Sequence, residues 1–381
     1  MYKNLPILKK ALSPLYKGIP DNTIGIYGKL YNVKDFDHPG GKVFLEISLG
    51  TDATSLFETH HLNMKHAKKI LENIPMVGTY EQINQYDYTS YRAYRDIVFK
   101  QFPTRESRSM SFDNRVCMYA IIFITILAHI ILLFQPLNYF WLPLCILSAC
   151  LNTICGGYGH NAIHQLNPVS MFLDWNGLSG YEWLLEHIQS HHMHVNTEYD
   201  HDSVSMEPFL TWIPNRKKGF INKITFFMHV LFFFSENIVA INGIFIHRGR
   251  WKIVTNKDFP LWMRLAPFMF ILRFLGHVVI MGTTGIITFV TTLCMAGYMF
   301  AYLAHLNHTY DKDVRPDFLA HQMANTKDID TFLKAQYILF LDRQVLHHMF
   351  PSIDQTRFVN KKNGYSIEKL NKLMNKTLYN L

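Results

Sequence analysis

The chain has 381 residues, enough for two domains or one large one. Charged residues make up only 17% and aromatics 14%, with a formal charge of +8 from 37 basic and 29 acidic side chains. So little charge argues against an ordinary soluble protein and fits a membrane protein whose basic face meets anionic headgroups. Nucleic acid is set aside as a partner, because Lys and Arg are scattered between long apolar runs.

Residues 1–30 contain Lys, Pro and Asp and no apolar core of signal-peptide length. Residues 24–80 read as a small soluble domain, placed at 1–81. β-type runs at 23–27 and 29–33 are broken by Gly28 and followed by Pro39, Gly40 and Gly41. A helix is expected over 41–49 and another from Asp52, a candidate N-cap. Residues 82–115 are mixed and polar, a linker or surface helix.

From 116 the character changes. Residues 116–134 and 139–158 lack formal charge, and each is long enough to cross a bilayer, which takes roughly 20 apolar residues. Residues 271–304 form another apolar run, interrupted at Gly282-Thr283-Thr284-Gly285. A tight hairpin is expected there, with Arg273 snorkelling near one end. That choice keeps the basic stretch 247–264 on the cytoplasmic side and leaves residues 224–246 at the interface. In the rival topology 224–246 crosses and 271–304 is one helix. About four crossings follow, and both choices put the histidine clusters on one side.

The five cysteines, Cys117, Cys145, Cys150, Cys155 and Cys294, all lie in apolar stretches without a CxxC pair and read as packing residues. Histidine is the anomaly: there are 20, many of them clustered. His38-Pro39-Gly40-Gly41 follows a strand-like run, and His60-His61 closes the helix that begins near Asp52. Two histidines on opposite sides of one pocket are what a bis-imidazole haem needs.

Three further clusters follow: His160-x-x-x-His164, His187-x-x-x-His191-His192 and Gln344-x-x-His347-His348. At these spacings the imidazoles of each cluster share one helix face. Three such boxes at helix ends on one side of a membrane could surround a pair of metal ions. Nitrogen-rich ligation suits iron, and removing hydrogen from an unactivated CH2 needs a redox metal, oxygen and electrons.

Residues 23–77 resemble cytochrome b5 in Gly28-Lys29-Leu30-Tyr31-Asn32-Val33, the HPGG turn and Gly50-Thr51-Asp52-Ala53-Thr54. The resemblance implies a small α+β domain holding haem b between His38 and a histidine at 60 or 61, with His61 in the expected register. Residues 116–360 resemble the integral-membrane fatty-acid desaturases, above all the cytochrome b5-fused front-end group. Gln344 in place of the first histidine of the third box, and His347-His348-Met349-Phe350-Pro351, carry that likeness. It implies an all-α membrane domain over 116–381 with a cytosolic histidine-box cap. It also implies two iron ions on His160, His164, His187, His191, His192, His347 and His348, and one further histidine, His308 ahead of His305. Gln344 is a ligand or supports one.

The implied activity is oxygen-dependent desaturation of a fatty-acyl chain on CoA or phospholipid. NADH-cytochrome b5 reductase would feed the haem domain, in a multi-pass protein of the endoplasmic reticulum whose haem domain and boxes face the cytosol. A lipid hydroxylase with the same centre and a non-enzymatic haem electron carrier are the alternatives. Two features depart from the front-end pattern: Asn161 stands where Asp is usual, and three residues rather than two precede His191. These, with Phe350-Pro351-Ser352-Ile353-Asp354, are similar to the cytochrome b5-related proteins. His194, His201 and Asp202 read as a solvated loop, with support of the second box as the alternative. His129, His229 and His277 read as structural, and Trp175, Trp183 and Trp212 as interfacial.

Overall fold

The computed structural model describes residues 19–82, 86–197, 199–204, 254–308, 314–329 and 340–359. The stretch 224–246, and with it His229, Trp212, Arg248, Arg250 and Lys252, lies outside them.

The N-terminal unit is α+β, as expected. Strands β1 (Thr23–Ile26) and β2 (Lys29–Asn32) pair antiparallel across Tyr27-Gly28. Both turn residues have positive φ, 51° and 74°, the signature of the two-residue turn that matches strand twist. A third strand that the sequence reading did not place, β3 (Met76–Thr79), joins on β2, giving the order β1-β2-β3. Helices α1 (Lys42–Ser48), α2 (Thr54–His60) and α3 (Met64–Leu71) cover it. Asp52 sits one residue outside the cap position: Ala53 takes that place, and the Asp52 carboxylate accepts from the Thr54 amide at 3.0 Å.

The rest is helical. Helix α4 (Thr89–Gln101) lies in the stretch read as linker or surface helix. It buries Tyr91, Tyr94 and Val98 against Phe318 and Phe350, and the Tyr91 hydroxyl donates to the Met349 carbonyl at 2.9 Å. Helices α5 (Phe112–Leu133) and α6 (Trp141–Ile163) match the first two apolar runs. At 1.5 Å per residue, α5 is about 33 Å long, the thickness of a hydrocarbon core. Its outer face carries exposed Val116, Phe123, Ile126 and Ile130, which water would not tolerate and lipid would. The short helix α7 (Met171–Trp175) packs back against α6.

The run expected as a hairpin is one. Helix α8 (Pro267–Met281) ends at Gly282, with φ 60° and ψ −135°, and α9 (Thr283–Leu306) begins at once. That backbone region is open essentially to glycine alone. The two helices pack closely: a Cβ on Gly285 would stand 2.0 Å from the His277 carbonyl oxygen. Gly285→Ala is therefore expected to pry the hairpin apart and cost roughly 1–3 kcal/mol or more, read as a lowered thermal midpoint in detergent. Among the described residues, α5, α6 and α9 are long and apolar enough to cross a membrane, and α8 is a shorter apolar helix.

Two expectations fail here. Arg273 does not snorkel: it is 3% exposed, donates to the Trp175 carbonyl at 3.0 Å and lies over the rings of Trp175 and Phe289. Trp175 is not an interfacial anchor either, since its indole N–H donates to Asn152 at 2.9 Å and its ring packs on His129. Apolar segments carry enough polar atoms here to satisfy one another inside the bundle, a better solution than reaching water.

Candidate metal and haem centres

Helices α6 and α9 run in the same sense, so the first box at the end of α6 and His308 just beyond α9 arrive at one level. Helix α10 (Phe318–Asn325) and helix α11 (Gln344–Met349) close over that level, the latter carrying the third box. The second box does not lie on an α-helix. Residues Leu184–His191 form a π-helix, whose wider turn aligns residues five apart. His187 and His192 therefore face the same point, with Nε2 atoms 3.0 Å apart, while the His191 ring stacks beside His187 at 5.1 Å and faces His308 and His348.

His160, His164, His187, His192 and His347 bring ligand atoms within 4.8 Å of one another, His191, His308 and His348 form a second such set, and His187, His191 and Asp202 form a third that joins the two. His191 and His192, neighbours in sequence, serve different groups, as do His347 and His348. His160 Nε2 stands 2.9 Å from both His187 Nε2 and His347 Nε2. Two nitrogens bound side by side to one ion at about 2.1 Å lie about 3 Å apart. Hydrogen bonding accounts for only part of the convergence, because His187 Nδ1 faces Asp202 Oδ2 at 2.8 Å and its Nε2 can then only accept. One lone pair faces two neighbours, His160 and His192, and serves both poorly as an acceptor, whereas an ion among the three would take all of them.

The second set is oriented throughout by oxygen partners. Nδ1 of His191 faces Asp200 at 3.0 Å, Nδ1 of His308 faces the Asn325 carbonyl at 3.2 Å, and Nδ1 of His348 faces Gln322 Oε1 at 3.2 Å. Each Nδ1–H donates outward to oxygen, which leaves Nε2 as a lone pair aimed inward. His348 Nε2 and both ring nitrogens of His164 are buried without a hydrogen-bond partner. Burial and neighbouring imidazoles hold His164, His187, His192, His308, His347 and His348 well below the ordinary histidine range, in the neutral form a metal needs. Burial pulls His191 the same way, but the Asp200 carboxylate outweighs it and raises the imidazole. The residues present thus fit two metal ions.

Several supports went unseen in the sequence. Asp200, fully buried, also accepts from the Asn196 amide and Ser203, and Gln322, also fully buried, ties the His348 ring to the His192 carbonyl. Neither sits at a spacing that marks it. The segment read as a solvated loop is not solvated: His194 and His201 are 4% and 1% exposed, His201 faces Glu186 at 3.3 Å, and Asp202 orients His187. Trp183, read as interfacial, instead stacks on the His187 ring at 4.6 Å. Asn161 finds its reason in Asp354, to which its side-chain amide donates at 2.9 Å while its oxygen accepts from the Gln355 amide. An aspartate there would set two buried carboxylates against each other.

A cavity opens beside the centre. Apolar Phe300, Ala301, Leu303 and Ala304 of α9 line it, facing His160 and His187. His305 and Gln344 line it as well, so Gln344 stands at the cavity wall and His305 outside both histidine groups.

In the N-terminal unit His38 and His61 face each other with ring centres 5.7 Å apart. Two imidazoles on one haem iron require roughly 6 Å. His61 Nδ1 donates to the Phe57 carbonyl at 3.0 Å, leaving Nε2 for iron. His60 points elsewhere, its ring against Phe44. The pair His38 and His61 therefore fits a haem.

The model of the family described as "Fatty acid desaturase" matches residues 136–362, and that of "Cytochrome b5-like Heme/Steroid binding domain" matches 18–81. An acyl-lipid (8-3)-desaturase of Mortierella alpina is 24% identical over 89% of this chain and 85% of its own. A cytochrome b5-related protein of Drosophila melanogaster is 23% identical over 83% and 75%. Delta(5) fatty acid desaturase A of Dictyostelium discoideum is 24% identical over 88% and 82%. No solved structure matches the chain.

Proposed function

Starting from the chain's membership of the fatty acid desaturase family, we propose that it introduces a double bond into the acyl chain of an acyl-lipid or acyl-CoA at a di-iron centre held by its three histidine boxes and His308. The observation that carries this reading is the convergence of eight histidines in adjoining groups, with the Nδ1 atoms of His187, His191, His308 and His348 turned outward to oxygen. Iron bound there supplies the oxygen activation and one-electron chemistry that C–H cleavage at an unactivated CH2 needs. The balance is one CH2–CH2 unit, O2, two electrons and two protons giving CH=CH and two waters. The apolar wall of α9 lays the chain against His160 and His187, and the closed cap of α10 and α11 keeps bulk water from the reacting carbon. Gln344 at the cavity wall offers an amide to the substrate or to a metal ligand.

His38 and His61 would hold haem b, which would supply the electrons, taken in turn from NADH-cytochrome b5 reductase. The protein sits in the endoplasmic reticulum membrane with both centres on the cytosolic side, where that reductase acts. Expression of the full chain in yeast, followed by gas chromatography of total fatty acids, tests the reading. A new unsaturated fatty acid absent from a His191→Ala, His192→Ala control supports it. A hydroxylated product in its place would establish the hydroxylase instead. A haem-replete protein that binds no iron would reduce it to an electron carrier.

A further inference from the structure

Helix α6 carries three glycines near its end, Gly156, Gly157 and Gly159. Two of them have a packing reason. A Cβ on Gly156 would stand 3.1 Å from the Phe300 ring of α9, and one on Gly159 would stand 3.1 Å from the Leu173 side chain of α7. Gly157 has no such neighbour: it is buried, yet nothing lies within 4 Å of a Cβ built there. Glycine weakens a helix interior relative to alanine. The chain therefore keeps open a space that alanine would fill with a gain in helix stability.

That space belongs to the cavity beside the histidine boxes. Thr153, Gly157 and His160 line it from α6, at spacings that put all three on one helix face. Among the described residues, Thr153 is the lining residue of α6 farthest from the boxes. At 1.5 Å per residue, it lies roughly 10 Å along the helix from His160. Thr153 is buried, and its hydroxyl is shared between the Ala149 carbonyl of its own helix at 2.9 Å and the Ala296 carbonyl of α9 at 3.3 Å. This clasp brings α6 and α9 together and closes that end. Phe300 and Ala301 make the wall apolar there, whereas Asn196, Ser203 and Gln344 line the cavity at the level of the second and third boxes. A slot that is polar at one end and apolar and closed at the other fits a molecule with a polar head and a hydrocarbon tail.

We propose that Gly157 and Thr153 set the length of acyl chain that the protein accepts. Gly157 leaves the passage past His160 open, and Thr153 is the floor against which the end of the chain stops. The proposal rests on the reading of this cavity as the acyl site. A side chain at position 157 would project into the passage one helical turn from His160 and displace carbons of the chain. Both residues act on the substrate by shape, and neither ligates a metal.

The test uses the full-length protein purified in detergent, with saturated acyl-CoAs stepped in chain length as probes. The rise in thermal midpoint that each probe gives is read. For the parent, the rise is expected to grow with chain length up to a limit and then fall away. Gly157→Leu is expected to move that limit to shorter chains and Gly157→Ala to move it less, both with the parent's iron content. For chains at the parent's limit, Gly157→Leu is expected to weaken binding by roughly tenfold or more, the scale of displaced methylenes in a fitted pocket. Thr153→Ala, which opens the floor, is expected to move the limit to longer chains. The same limit in the parent and in both Gly157 variants overturns the proposal, as does a parent that no chain length stabilises. Gas chromatography of the products judges the underlying reading separately. A limit that moves in a protein that makes no double bond keeps the slot and sinks the desaturase. Desaturation with an unmoved limit keeps the desaturase and sinks the slot.

Discussion

Replacing His192 with alanine is expected to abolish desaturation and to lower bound iron from about two ions per chain toward one, because that imidazole belongs to the five-histidine group alone. His348→Ala removes a member of the other group and should be equally inactive, while His160, His164, His187, His192 and His347 stay in place. Asp200→Asn is milder: it keeps the shape but loses the charge that holds His191, a change worth roughly 10–100-fold in metal affinity or activity. Iron analysis of the purified variants beside product assays checks all three. Two ions retained by His192→Ala would sink the assignment of the groups. The ranking follows from position: a lost ligand removes a bond to the metal, whereas Asp200 acts only through the ring it orients.

Glu58→Ala is expected to cost about 3–5 kcal/mol, the largest stability effect in the N-terminal unit. Glu58 is fully buried on α2, paired to Arg95 at 2.6 Å and to Arg92, and it accepts from the Tyr27 hydroxyl. Arg95 is itself buried, so removing the carboxylate strands a guanidinium in a dry site. Burial pushes the Glu58 carboxyl up, but Arg92, Tyr27 and Arg95 together outweigh it and hold it below the ordinary range. A depressed carboxylate contributes stability that is fully present above the unfolded pKa, near 4.3. That contribution is lost as pH falls through the lower folded value. Thermal unfolding followed by haem absorbance should therefore show the gap between parent and Glu58→Ala shrinking in acid. A gap independent of pH would mean that Glu58 acts by packing and not by charge. Because Glu58 sits three residues before His61 and its arginine partners lie on α4, the same variant should also loosen haem retention.

Much was legible in the chain alone. Uncharged runs of bilayer length gave α5 and α6 within a few residues, since the cost of burying charge in lipid leaves an unmistakable gap in the sequence. The hairpin at Gly282 was legible because helix breakers in an apolar run are costly unless the chain turns. The HPGG turn, the paired histidines and the spacings of the three boxes announced metal-binding chemistry, because period and residue type are local properties.

What the tertiary structure decided is everything that depends on long-range contact. Spacing put His187, His191 and His192 on one face, but a π-turn carries His192 to the five-histidine group and His191 to the set with His308 and His348. Asp200, Gln322 and Asn325 orient the rings by contacts to residues 9 to 26 positions away, from segments with no periodic signal. Arg273, Trp175 and Trp183 were read by the average habits of their residue types, and each went instead to a specific partner inside the bundle. Nor did the pair His60-His61 show which ring faces His38 and which packs on Phe44. That choice is set by where α2 ends and by what packs against it, and only folding brings those together.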